Sequence, residues 1–224
     1  MSTEKKEWQF TTNQSGEFVR KPSTFRDSVT KDGSSGYKAE AGRYVLIVSL
    51  ACPWAHRTLV VRALKGLEKT IDVFVVDYVF AENGWKFIDD GEKPGCRRFR
   101  NYEHLKDIYF ESEPNFEGRY TVPVLYDTKT NRIVNNESSE IIRFLGTEFD
   151  DVAIGQTEEQ KQLRLYPEDL RAQIDEINEF VYPNINNGVY RCGFATSQQA
   201  YDRAFDELFN ALDRLEGRLS SQRY

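Results

Sequence analysis

The spacing of apolar positions changes near residue 43 and again near residue 150. Residues 1–36 are polar and rich in Ser, Thr, Lys and Gly, with Asp32-Gly33-Ser34-Ser35-Gly36 as a turn-prone stretch. This is the composition of an irregular arm, although Trp8, Phe10, Phe18 and Phe25 predict that it packs on the body. The run Tyr44 to Ser49 and the β-branched stretch Ile71 to Val79 then flank a helical pattern from Pro53 to Gly66. Two such strands around one helix make a βαβ unit, which is right-handed with parallel strands. Thr121 to Tyr126 and Arg132 to Val134, separated by Asp127-Thr128-Lys129-Thr130-Asn131, predict a hairpin. Ile141, Ile142 and Leu145 place one apolar face on a helix from Ser138 to Leu145.

Beyond Asp151 the strand signal disappears. Pro167, with Glu168 and Asp169 in the first turn, opens a helix carrying Leu170, Ile174, Ile177 and Val181 at helical spacing. Thr196 and Gln199 form a capping-box pattern ahead of Tyr201, Ala204, Phe205, Leu208, Leu212 and Leu215, which predicts a second amphipathic helix running to Leu219. The element order β-α-β-α-β-β-α is that of a thioredoxin-like domain, so the chain reads as α/β followed by all-α. The expected divisions are an arm over 1–40, a thioredoxin-like domain over 41–150 and a helical domain over 151–224. The two late helices have little to pack against. Either they lie on the first domain and a partner subunit, or the chain is incomplete.

The 224 residues include 15 Phe, 12 Tyr and 3 Trp, ample for a core. A net charge of −6 argues against non-specific nucleic-acid binding, which needs a basic face. The cluster Arg97-Arg98-Phe99-Arg100 reads as solvated surface. No apolar stretch is long enough to span a bilayer, and Met1-Ser2-Thr3-Glu4-Lys5-Lys6 lacks the apolar segment of a signal peptide, so a cytoplasmic protein with no membrane partner is expected. Three cysteines, Cys52, Cys96 and Cys192, with only two histidines give neither a disulfide framework nor a zinc pattern, and no metal is expected.

The chemistry concentrates at Cys52, in Ser49-Leu50-Ala51-Cys52-Pro53-Trp54-Ala55-His56-Arg57, directly after the first predicted strand. Most lone cysteines are small hydrophobes in a core. Here a strand delivers the thiol to the first turn of a helix, where free N–H groups and the helix dipole lower a thiol pKa, and Pro53 suits the first helical position. Position 55 is Ala, so no Cys-x-x-Cys pair exists and a mixed disulfide on Cys52 needs an external thiol to resolve it. A small-thiol co-substrate follows. His56 is four residues on, but its side chain points away along the helix, so it reads as a packing or hydrogen-bonding residue.

The stretch from Arg43 through Arg57 to Leu67 resembles the glutathionyl-hydroquinone reductases, the Xi class of glutathione transferases, related to the Omega class. Four further segments agree: Glu82-Asn83-Gly84-Trp85, Gly118 to Leu125, Ile133 to Arg143 and Asn186 to Ser197. The resemblance implies a thioredoxin-like N-terminal domain, then a helical glutathione transferase domain. It also implies glutathione as co-substrate with no permanently bound cofactor, glutathionylated hydroquinones as the other substrate, and a homodimer in a full-length form. Family members continue past the equivalent of Tyr224 with further helices, so the helical domain here appears truncated.

The same resemblance assigns the site. Cys52 is the nucleophile, and Tyr190 the phenol facing the aromatic substrate, able to act as a general acid at a quinol oxygen; Tyr182 is a weaker contact of the same kind. Pro123 occupies the place of a cis-proline that would turn the Val122 backbone toward the cysteinyl part of glutathione like an added strand; a proline at the start of an edge strand is equally legal. Glu137 and Ser138 open a helix whose N–H groups and hydroxyl can hold the γ-glutamyl carboxylate while Glu137 faces its ammonium, against simple capping as the plainer role. Trp85 and Arg119 are further glutathione contacts, through a flat indole and a guanidinium, although Trp85 alone would read as core. Cys96 and Cys192 look incidental. The reading is thus a glutathione-dependent reductase of glutathionyl-hydroquinones. An Omega-like thioltransferase or dehydroascorbate reductase, and a non-catalytic interaction module, are the alternatives.

Overall fold

The computed structural model describes residues 11–81, 83–88, 99 and 101–222. They form two compact units: one spans Pro22–Leu165, and the other combines residues 11–21 with 166–222. Trp8, Phe10, Glu82, Cys96 and the arginines at 97, 98 and 100 lie outside the described residues.

The first unit opens with a small parallel pair, β1 (Val29–Thr30) and β2 (Tyr37–Lys38). Its main sheet is built on β3 (Tyr44–Val48), every residue of which is buried, as expected of a continuous apolar run covered on both faces. Helix α1 (Pro53–Leu64) crosses over to β4 (Asp72–Ala81), which lies parallel to β3 with Val48 opposite Val75. Strand β5 (Gly84–Phe87) folds back on β4, and helix α2 (Leu105–Ser112) follows. Strands β6 (Val124–Asp127) and β7 (Arg132–Asn135) form the expected hairpin, and α3 (Ser138–Leu145) succeeds them. The strand order is β5-β4-β3-β6-β7, with β6 antiparallel to β3. Helix α1 packs against α3, and α2 against β7 and β5. This is the thioredoxin-like arrangement, with β5 as an added edge strand that the sequence pattern does not predict. Trp85, Lys86 and Phe87 alternate apolar and polar, but four residues are too few to establish a period of two. Thr121, Val122 and Pro123, expected within the third strand, precede β6 and stand outside the ladder.

Two buried ion pairs tie together segments of this unit that are distant in sequence. Arg43 grips Asp127 through two bonds of 2.8 Å, from Nε and Nη2, and also bonds Glu40 at 2.8 Å. Lys65 at the end of α1 is fully buried. Its ammonium meets Asp150 at 2.8 Å and the carbonyls of Lys161 and Leu163 at 3.2 Å. These bonds fasten α1 to the segment around α4 (Glu158–Gln162), which Thr157 and Gln160 cap reciprocally.

The predicted arm is not one piece. Phe25 packs edge-on to Tyr109 and stacks with Phe116 in the first unit, while Phe18 meets Tyr190 and Phe194 in the second. Backbone bonds divide it the same way: Asp27 N donates to Val134 O, and Thr196 N to Gly16 O.

In the second unit Pro167 precedes a single turn of 3-10 helix, Glu168–Leu170, before α5 (Arg171–Val181). A π-helical turn, Tyr182–Asn186, leads into α6 (Asn187–Gly193), and α7 (Gln198–Leu219) completes the unit. The cap of α7 is Ser197, whose hydroxyl accepts from Ala200 N at 3.2 Å. Thr196, expected there, instead bonds Gly16 O. The buried face of α7 is also narrower than the apolar pattern suggests. Ala200, Ala204, Leu208 and Ala211 are buried, whereas Tyr201, Phe205, Phe209 and Leu212 are exposed, and α5 buries no residue. No helix among the described residues is long and apolar enough to cross a membrane.

Candidate active site

Cys52 is the N-cap of α1, in extended conformation, with Pro53 at the first helical position. The preceding loop is held by Ser49, which is buried: its hydroxyl donates to Asp77 O at 3.2 Å and accepts from Ala51 N at 3.3 Å, while Cys52 N donates to Ser49 O. The first helical bond, His56 N to Cys52 O, is formed at 3.0 Å. Chain direction and capping therefore leave the Cys52 side chain at the head of α1, half-buried, with Sγ 3.7 Å from Val122 O. The imidazole of His56 is exposed to solvent. The peptide bond Val122-Pro123 is cis, and both residues are buried.

Glu137 is the N-cap of α3. Its Oε1 accepts from Ser139 N at 3.1 Å and Ser139 Oγ at 3.0 Å, and Oε2 accepts from Ser23 Oγ at 3.1 Å. Its own N–H donates to Asn135 Oδ1 at 2.7 Å. Capping is thus an observed role of this carboxylate. Ser138 is buried, and its Oγ accepts from Arg57 Nη2 at 2.6 Å. Arg57 also lies 4.9 Å over the Trp54 ring. It is the functional candidate that sequence reasoning passed over: it stands five residues after Cys52 in the quoted motif, on the helix that packs against α3, and a cation there suits an anionic ligand.

The structure therefore brings Cys52 and Val122 into contact and sets Glu137 and Ser138 together at the head of α3. Trp85 is half-buried on the edge strand β5, opposite Phe80, with ring centroids 4.9 Å apart. Arg119 is half-buried in the irregular segment ahead of the cis peptide.

Tyr190 and Tyr182 belong to the second unit. Tyr190 is half-buried among Phe18 and Phe194, with the Arg20 guanidinium 4.5 Å above its ring. Arg20 is itself oriented by Asn187 Oδ1 at 2.6 Å. Tyr182 is exposed. Burial pushes the Cys192 thiol above its ordinary pKa against the opposing charge of Arg191, which disfavours the thiolate form. Among the described residues no group of three or more His, Cys, Asp and Glu could hold a metal ion.

Residues 51–148 match the family model of the glutathione S-transferase N-terminal domain. Over 90% of the chain it is 47% identical to glutathione S-transferase omega-like 2 of Schizosaccharomyces pombe, covering 63% of that protein. Over 97% it is 48% identical to the glutathionyl-hydroquinone reductase YqjG of Escherichia coli, covering 66%. The glutathione-bound structure of YqjG superposes with a TM-score of 0.80 at 47% identity, over 90% of this chain and 65% of that one. The crystal structure of the glutathione S-transferase Xi from Phanerochaete chrysosporium gives a TM-score of 0.87 at 48% identity, over 96% of this chain and 67% of that one. The chain thus spans slightly less than two thirds of the length of these two curated relatives. Nearly half of its residues are shared with a Xi enzyme that it covers to two thirds, on the same thioredoxin-like sheet: the chain belongs to the Xi class of the glutathione transferase family.

Proposed function

We propose that the protein is a glutathione-dependent thiol reductase that converts glutathionyl-hydroquinones to hydroquinones. The observation that carries this reading is Cys52 itself, half-buried at the cap of α1 and in contact with the Val122 carbonyl, where other transferases would use a hydroxyl to activate glutathione. A thiol at that place is a site of exchange. The reductase name borne by YqjG and its glutathione-bound structure support the choice of substrate.

In the proposed reaction the Cys52 thiolate attacks the glutathionyl sulfur, forming an S–S bond as the sulfur–ring bond breaks. The electron pair leaves with the ring carbon, which takes up a proton, so hydroquinone departs reduced and the glutathione sulfur is oxidised to the disulfide level. A second glutathione thiolate then attacks the mixed disulfide, releasing glutathione disulfide and restoring Cys52. The sequence resemblance assigns Tyr190 the proton donation at the quinol side and Tyr182 a second aromatic contact. The head of α3, with Ser138 and the nearby Arg57, supplies N–H donors and positive charge suited to the γ-glutamyl carboxylate. Glu137 meets the ammonium with the acceptor capacity its capping bonds leave. Val122 supplies backbone to the cysteinyl part, and Trp85 and Arg119 supply the outlying contacts.

The test is intact mass after incubation with a glutathionyl-hydroquinone, wild type beside Cys52→Ser, with liberated hydroquinone followed in parallel. A glutathione adduct on the Cys52 peptide and hydroquinone release, both lost in the variant, are expected. Release that persists in Cys52→Ser would exclude the thiol mechanism.

A further inference from the structure

Tyr109 is fully buried within the first unit, and its phenol uses all the hydrogen bonds a phenol has. It donates to Thr121 O at 2.8 Å, with Thr121 Oγ1 at 3.3 Å, and accepts from Thr121 N and Asn136 Nδ2, each at 3.1 Å. The positions of these partners in the chain give the bonds their meaning. Thr121 immediately precedes Val122, whose carbonyl meets Cys52 Sγ, and Asn136 immediately precedes Glu137, the cap of α3. Asn136 is fixed in turn, its Oδ1 accepting from Phe25 N at 3.2 Å and its backbone N–H donating to Phe25 O at 3.1 Å. One hydroxyl therefore spans the two backbone segments that carry Val122 and Glu137-Ser138. Burial raises the phenol above its ordinary pKa, and the bonds from Thr121 and Asn136 offset this only in part, so it stays a neutral donor.

We propose that Tyr109 is a positioning residue for the glutathione site: its hydroxyl sets the distance between the Val122 backbone and the head of α3, and so selects substrates carrying the glutathione peptide over those without it. The inference rests on the reading of that site given above. The cysteinyl and γ-glutamyl parts of glutathione are joined covalently, so the two contacts are made together only at one spacing. A displacement of about 1 Å in such an arrangement is enough to cost a large factor in rate. Phenylalanine at 109 would keep the ring packing on Phe25, Phe116 and Tyr120. It would leave the Thr121 N–H and C=O and the Asn136 amide buried without their partner, and the segments would relax to find others.

The test compares single-turnover adduct formation at the Cys52 peptide with two probes, glutathione disulfide and 5,5′-dithiobis(2-nitrobenzoate), a disulfide with no peptide. In each case the Cys52 thiolate takes one half of the disulfide and expels the other as thiolate. For Tyr109→Phe the ratio of the two rate constants, glutathione disulfide over the aromatic disulfide, is expected to fall by about tenfold or more, the loss of one hydrogen-bonded contact. The half-saturating glutathione disulfide concentration should rise with it. A purely structural role would move both probes alike, so an unchanged ratio overturns the inference. If Tyr109→Phe does not fold, Asn136→Ala cuts the same link from the other side, and an unchanged ratio there is equally decisive. Wild type that reacts with the aromatic disulfide but forms no glutathione adduct would overturn the glutathione site itself.

Discussion

Arg57 Nη2 donates to Ser138 Oγ at 2.6 Å, linking the helix headed by Cys52 to the helix headed by Glu137. The bond orders a guanidinium beside the first turn of α3, where the N–H groups already favour an anion. In the Cys52→Ser background, which prevents exchange, Arg57→Met is expected to weaken glutathione binding about tenfold by calorimetry, the magnitude of one charge-assisted hydrogen bond. Arg57→Lys should recover only part of this, because an ammonium cannot reproduce the planar fork. Binding unchanged in Arg57→Met would leave Arg57 a purely structural strut between α1 and α3.

Lys65 and Asp150 offer a test of the fold independent of chemistry. The ammonium is fully buried and is satisfied by Asp150 and two carbonyls. Lys65→Ala leaves the carboxylate without its main partner and is expected to cost about 3 kcal/mol, read as a lower urea midpoint. The double variant Lys65→Met/Asp150→Leu, which removes both charges, should be less destabilised than Lys65→Ala alone. Equal losses would mean that the carbonyl bonds, not the ion pair, hold α1 to the segment after Asp150.

The Asp127–Arg43 pair sets an acid limit on stability. Burial by itself raises the Asp127 carboxyl, but bonds from Arg43, from Lys129 N and from Thr130 Oγ1 outweigh it and hold the group below its ordinary value. A carboxyl lower in the folded than in the unfolded chain binds fewer protons when folded, so its contribution is complete above the unfolded value, about pH 4. It is lost as the pH falls through the lower folded value. Asp127→Asn should therefore be less stable at neutral pH and should show a shallower decline of unfolding free energy below about pH 4. Parallel declines in the two proteins would remove Asp127 from the acid transition.

How much of this could be read from the chain depends on the reach of each interaction. Cys52-Pro53 and Glu137-Ser138 announce helix starts through their immediate neighbours, and the structure has α1 and α3 beginning there. The parallel pairing of β3 with β4 followed from the apolar runs on either side of α1, and the β6–β7 hairpin from the turn after Asp127. The roles of Tyr109 and Arg57 could not be read, because their partners stand 12 to 81 residues away and nothing local distinguishes a tyrosine whose hydroxyl is a bridge from one that is only packed. Strand β5 escaped because its pairing with Phe80 and Val76, not its composition, makes it a strand. Ser197 displaced Thr196 as a cap because both the hydroxyl and the backbone N–H of Thr196 donate to Gly16 O, a contact with a segment 180 residues earlier.

Gly118 links the packing of the aromatic cluster to the segment that carries Val122. A Cβ at this position would come within 2.6 Å of Phe116 Cζ. The Phe116 ring has little freedom to yield, being 7% exposed and packed on Phe25, Tyr109 and Tyr120. Gly118→Ala is therefore expected to destabilise the protein by about 1–3 kcal/mol, the usual penalty for overpacking a closed cluster. Because the displaced ring presses on Tyr109, whose hydroxyl holds Thr121, the near-ultraviolet circular dichroism of the folded variant should change as well. Shortening the obstructing side chain separates the clash from any backbone effect of the new methyl group. In the Phe116→Leu background the same Gly118→Ala change should cost clearly less than it does in the wild type. An equal cost in both backgrounds would show that the segment requires glycine for its own conformation and that the ring contact is incidental.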